Sequence, residues 1–316
     1  MDATDQLDAA DVAALADRIG HNVALAVKVP EQTLRNVLIA LLAEGHVLIE
    51  DHPGVGKTAL VRALARSVDA LYARIQCTSD LLPADVVGTN VFNQREARFE
   101  FRPGPVFANL VLVDEINRAP PKTQSGLLEC MQERHVTVDT TTHELARPFA
   151  VLATQNPVEY AGTYSLPENQ LDRFMVRASL GYPSASREVE MLSAHAAGDR
   201  VLELRPVASV SELLAAQDAT LGVHTSERLL RYVVGVLDRI RKDPRVEFGA
   251  SPRAGLMLVK AAKALAALQG RDHVLPDDVQ ELVPAVLAHR LLLAPAAAEN
   301  DELAILHDAL DRVPAL

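Results

Sequence analysis

The chain has only two cysteines, no apolar run long enough to cross a bilayer and no basic leader, and each shortage removes a class of answers. Cys77 and Cys130 sit in apolar surroundings, with no Cys or His at metal-ligand spacing. Reduced core residues are expected, not a disulfide framework or a zinc site. The apolar stretches 285–288 and 291–298 are interrupted by His289, Arg290 and Pro295, short of the about 20 residues a membrane-spanning helix needs. Asp2, Asp5, Asp8 and Asp11 give the N-terminus the wrong sign for a secretory leader, so a cytoplasmic location is expected. A net charge of −11 disfavours a nucleic-acid motor whose main affinity comes from neutralising phosphates.

What is present is enough apolar material, 49% of 316 residues, for two packed units. The organising stretch starts at His46. Val47 to Ile49 reads as a buried strand, Asp51-His52-Pro53-Gly54-Val55-Gly56-Lys57-Thr58 as a tight turn, and Leu60, Val61, Leu64 and Val68 as the stripe of a following helix. Such a turn points several N–H groups at a helix N-terminus, where the dipole favours an anion, and Lys57 adds a full charge for phosphate. The hydroxyl of Thr58 suits magnesium. The strict P-loop pattern asks for glycine where Asp51 stands, so this stretch alone could be a plain strand-to-helix turn.

Residues farther along the chain favour the phosphate reading. Leu110-Val111-Leu112-Val113 runs as a strand buried on both faces and ends in Asp114-Glu115, at the sheet edge where open α/β proteins keep their sites. Asp114 can hold magnesium, and Glu115 can polarise a water. A strand over 149–154 leads to Gln155-Asn156-Pro157, which puts a neutral amide at the same edge, able to orient that water. Arg173, ahead of a strand over 175–180, is a candidate arginine finger. In Ser251-Pro252-Arg253, Ser251 is placed as N-cap and Pro252 as the first helical residue. Arg253 then puts a cation where the helix dipole disfavours it, which calls for an anion nearby.

The remaining elements follow from periodicity. Helices are expected over 5–27 and 31–44, the second stopped by Gly45 at C′, then a strand over 71–76 and a short element opened by Pro83. Val91 to Asn93 and Phe99 to Phe101 flank a polar tip and predict a hairpin. A helix over 124–133 precedes a second hairpin over 134–147, whose segment Asp139-Thr140-Thr141-Thr142 lacks glycine, so a longer and looser loop is expected. Strands end near 181–186, and helical periodicity follows over 187–197, 211–219, 226–241, 252–268, 277–290 and 299–311.

Pro53-Gly54-Val55-Gly56-Lys57-Thr58, Asp114-Glu115-Ile116-Asn117-Arg118, Thr154-Gln155-Asn156-Pro157, Gln170-Leu171-Asp172-Arg173-Phe174 and Ser251-Pro252-Arg253 together resemble the MoxR family of AAA+ ATPases, in order and spacing, over nearly the whole chain. The resemblance implies an α/β P-loop core with a parallel five-stranded sheet in the order 5-1-4-3-2, over residues 1–185. It implies a helix-2 insert at about 86–102, a pre-sensor-1 hairpin at about 134–147, and a C-terminal all-helical lid over 186–316. It also implies that Pro53, Gly54, Val55, Gly56, Lys57, Thr58 and Ala59 bind ATP, with Mg²⁺ on Thr58 and Asp114. Glu115 is then the catalytic carboxylate, Asn156 sensor 1, Arg173 a finger reaching a neighbouring subunit, and Arg253 sensor 2, while Arg118 is placed at the subunit interface. The implied activity is Mg-dependent ATP hydrolysis in a ring, expected as a hexamer, that remodels or matures client protein complexes beside a partner with a von Willebrand factor A-type domain. The alternative is a nucleotide-dependent assembly switch or scaffold with little turnover.

Overall fold

The computed structural model describes residues 7–51, 54–156, 164–181, 199–295, 297–298 and 301–315. Pro53, Pro157 and the helix expected over 187–197 lie outside the described residues. Helix α1 (Ala9–Ala26) opens with a capping box between Asp8 and Asp11, and α2 (Glu31–Leu42) follows. Gly45 does not supply the left-handed turn after α2. Glu44 takes it at φ 55°, and Gly45 is needed for another reason, because a Cβ there would stand 2.6 Å from the sulfur of Met175.

The chain then lays down strand β1 (Val47–Glu50), helix α3 (Lys57–Ser67), β2 (Tyr72–Gln76) and the short helix α4 (Pro83–Val87). A hairpin of β3 (Gly88–Asn93) and β4 (Arg98–Pro103) leads into β5 (Leu110–Asp114) and helix α5 (Pro121–Glu133). The second hairpin, β6 (His135–Val138) with β7 (Thr141–Glu144), precedes β8 (Ala150–Gln155) and β9 (Val176–Ala178). Its loop is tight, against expectation. Val138 pairs with Thr141, so only Asp139 and Thr140 turn the chain, and Asp139 itself adopts the positive φ (54°) that glycine was expected to supply.

Strands β2, β5, β8, β1 and β9 form one parallel sheet in that order, which is the expected 5-1-4-3-2 arrangement read from the other edge. Alternation along the strands divides the core in two. Val47, Ile49, Leu110, Leu112 and Leu152 face a cluster shared with α1, α2, α3 and the C-terminal helices, whereas Leu48, Val111, Val113, Val151 and Ala153 pack with Leu127, Leu128 and Phe174. Buried on both faces, the sheet leaves only its ends for chemistry.

After residue 199 the chain is mainly helical: α6 (Val210–Gly222), α7 (Glu227–Arg241), α8 (Pro252–Leu268), α9 (Pro276–Leu287) and α10 (Glu302–Arg312). One short antiparallel pair is added, Val246–Phe248 with Leu292–Leu293, too brief to leave a periodic trace in the sequence. No helix among the described residues is long and apolar enough to cross a membrane.

Candidate active site

The described part of the loop between β1 and α3 carries two glycines with an open backbone. Gly54 and Gly56 hold φ of +86° and +96°, and a Cβ on either would meet nothing within 4 Å, so the backbone borders open space at the start of an eleven-residue helix. Lys57, Thr58 and Ala59 form the first turn of that helix, half-buried, and Val55 packs at the margin of the core. Lys57 Nζ donates to the Asp51 carbonyl at 2.9 Å. Burial holds its pKa below the usual lysine value, against the opposing pull of the Asp51, Asp114 and Glu115 charges.

The departure at Asp51 has a structural cause. Its side chain, in a residue 4% exposed, accepts hydrogen bonds from the Ser179 hydroxyl (2.8 Å), the Leu180 N–H and the Gly181 N–H (3.0 Å). The residue that breaks the glycine pattern thus fastens the loop to the exit of β9.

At the end of β5, Thr154 connects both acids. Its hydroxyl donates to Asp114 Oδ1 at 2.7 Å and accepts from the Glu115 N–H at 2.8 Å. Glu115 sits at φ 55°, in the left-handed region, where the chain leaves β5. Each carboxylate is engaged: Asp114 Oδ2 by Arg74 at 2.6 Å, Glu115 Oε2 by Arg118 at 2.9 Å. Asn156 directly follows β8, beside β5, and its carbonyl accepts from Asn117 Nδ2 at 3.5 Å. No group of three or more His, Cys, Asp or Glu among the described residues could hold a metal. The oxygen donors available, the Thr58 hydroxyl and the Asp114 carboxylate, fit magnesium, which takes few protein ligands beside substrate phosphates and water.

Arg173 and Arg253 form a separate pair. Burial lowers the Arg173 pKa and the like charge of Arg253 lowers it further, while Glu129 and Glu133 pull the other way. Arg173 gives one guanidinium nitrogen to the Leu128 carbonyl, and its buried Nε has no hydrogen-bond partner among the described residues. Ser251 caps α8 by accepting from the Ala254 N–H at 3.1 Å, which sets Arg253 in the first turn as the sequence predicts. Cys77 and Cys130 are buried thiols pushed up to about 12 by desolvation, which suits inert core residues.

Three residues of this neighbourhood were not singled out by sequence reasoning. Thr154 was legible only through register, since Val113 lies opposite Ala153 and the next pair must meet at Asp114. Asp172, next to Arg173 in the sequence, takes its partners from far along the chain, Ser251 and Arg290. Arg290 offered one clue, a charge inside an apolar run, and it is 6% exposed.

Residues 46–176 match the model of the ATPase family associated with various cellular activities (AAA), and residues 238–309 match the AAA lid domain. Protein YeaC of Bacillus subtilis is 51% identical over 82% of this chain and 81% of its own length. Chaperone MoxR1 of Mycobacterium tuberculosis is 43% identical over 86% and 74%, and protein MoxR of Paracoccus denitrificans 32% identical over 84% and 85%. A crystal structure of a candidate ATPase from Cytophaga hutchinsonii superposes with a TM-score of 0.90 at 36% identity, covering 98% of this chain and 97% of that one.

Proposed function

The chain belongs to the MoxR family of AAA+ ATPases, and from that premise we propose that it hydrolyses ATP with magnesium in a ring of like subunits, a hexamer, whose cycle remodels or matures client protein complexes. Residues 1–185 serve as the nucleotide-binding core, with 86–102 and 134–147 as its inserts, and 186–316 as the lid. A cytoplasmic location and a partner carrying a von Willebrand factor A-type domain belong to the same proposal.

The observation that carries it is the separation of charges. Lys57 lies in the field of Asp114 and Glu115 beside the open Gly54–Gly56 loop, while Arg173 lies in the field of a second cation, Arg253, with Glu129 and Glu133 pulling the other way. Like charges held together call for a bound anion, and the γ-phosphate of ATP held by a neighbouring subunit supplies one for Arg173. Lys57 exchanges the Asp51 carbonyl for phosphate oxygens, and Glu115 leaves Arg118 to accept a proton from water that Asn156 orients. Thr58 and Asp114 would hold magnesium, which would supply positive charge against the phosphates. Asp114 remains oriented by the Thr154 hydroxyl throughout.

ATP hydrolysis per subunit, measured against protein concentration with Arg173→Ala in parallel, tests the shared site. Specific activity is expected to climb with concentration, and the variant to stay flat and lower by on the order of 10³-fold. Bound ATP with negligible hydrolysis at every concentration would instead make the protein a nucleotide-dependent assembly switch.

A further inference from the structure

The segment that carries Arg173 into β9 is gripped by a side chain from the lid. Arg290 donates to the Asp172 carboxylate (2.9 Å), the Asp172 carbonyl (3.2 Å), the Phe174 carbonyl (2.6 Å) and the Met175 carbonyl (3.4 Å). His289 adds a bond from Nε2 to the Phe174 carbonyl at 3.0 Å. The Arg290 side chain is 1% exposed, and the carboxylate of Asp172 is the counter-charge it touches. From the other side the Ser251 hydroxyl reaches both Asp172 oxygens, at 3.1 and 3.0 Å, while it caps the helix that bears Arg253. One carboxylate therefore joins three things: the buried arginine of the lid, the helix start that fixes Arg253, and the residue next to Arg173.

We propose that Asp172 is a positioning residue that fastens the Arg173 segment to the lid, so that Arg173 is presented at a set distance from Arg253 and moves only when the lid moves. The inference rests on the reading of Arg173 as a group acting on a neighbour's site. It assigns Asp172 no contact with substrate. Its effect passes through Arg173, and a displacement of about 1 Å at such a group is enough to cost on the order of 10² in rate.

Asp172→Ala removes both carboxylate contacts, and Ser251→Ala removes the hydroxyl contact with Asp172 together with the cap on the Ala254 N–H, leaving the Arg290 pair in place should the first variant fail to fold. Each is mixed with Glu115→Gln subunits, which are unable to hydrolyse at their own sites but keep Arg173, and Arg173→Ala is mixed in the same way. Alone, Asp172→Ala is expected to bind a fluorescent ATP analogue with about the affinity of the unaltered chain, within a few-fold, yet hydrolyse ATP about 10²-fold more slowly. Hydrolysis is expected to return in the mixture, and Ser251→Thr, which keeps the hydroxyl, to stay nearer the unaltered chain than Ser251→Ala. Without nucleotide, trypsin is expected to cut after Arg173 at least about tenfold faster in Asp172→Ala, because the segment opens locally. Unchanged hydrolysis, unchanged cleavage, or no recovery while Arg173→Ala does recover would overturn the role of Asp172. No recovery for Arg173→Ala itself would overturn the shared-site reading, and this inference with it.

Discussion

At the scale of single residues, burial decides protonation. His46 is buried beneath β8, with Nδ1 accepting the Val151 N–H at 3.0 Å and Nε2 donating to the Met131 carbonyl at 2.9 Å. That fixes the neutral tautomer, and desolvation brings the pKa down to about 4. His289, enclosed beside Arg290, is lowered as well, first by burial and then by that charge. The unfolded chain takes up these protons from pH 6.5 downward, while the folded chain refuses them until much lower. Stability contributed by the neutral rings is thus complete above pH 6.5 and is lost as pH falls toward 4, by on the order of 3 kcal/mol for His46. Urea midpoints between pH 7.5 and 4.5 should fall accordingly. His46→Leu, though less stable at pH 7.5 because it strands the Val151 N–H, should show a shallower fall, and an equal slope in both proteins would remove His46 from the account.

At the scale of elements, the two hairpins act as one. Phe101 of β4 stacks on His143 of β7 with ring centroids 3.8 Å apart and planes 15° apart, and Phe107 meets both edge-on. Asn90 donates to Asp139 at 2.6 Å. A double-mutant cycle of Phe101→Ala and His143→Ala should give a coupling of about 1 kcal/mol in unfolding free energy, and additive effects would show that the hairpins are independent. Each hairpin was legible from the sequence because alternation is local, but their contact was not, since nothing in either stretch names the other. The same distinction holds at the site. Gly54, Gly56, Lys57, Asp114 and Arg253 stand out because backbone freedom, strand ends and helix caps leave marks within a few residues. Thr154, Asp172 and Arg290 take their roles from register and from packing between distant segments, and the tight turn at Asp139 escaped because aspartate can adopt a conformation the pattern reserves for glycine.

At the scale of the whole molecule, the sheet and the lid share one core. Helix α1 inserts Val12, Ile19 and Val23, all at most 1% exposed, between α3 behind the nucleotide loop and α8 of the lid. The same buried cluster runs from Ile49, Leu60 and Val176 to Leu258, Ala262 and Leu282. Ion pairs also cross it: Arg147 bridging Glu44 and Asp218 and Arg35 meeting Glu281, each with an exposed partner and worth little, and the buried Arg290 with Asp172, whose desolvation offsets much of its attraction. Apolar contact therefore joins the two parts, and a continuous core has no plane along which to melt in halves. The chain should unfold in one calorimetric transition despite its length. Nucleotide at 100 times its dissociation constant should stabilise that entire transition by about 2.7 kcal/mol. Ile19→Ala should lower it by about 2–5 kcal/mol without splitting it. Two transitions, with only the earlier-sequence part shifted by nucleotide, would mean that the lid is held by its polar joints instead, and Asp172 and Arg290 would then be what keeps it in place.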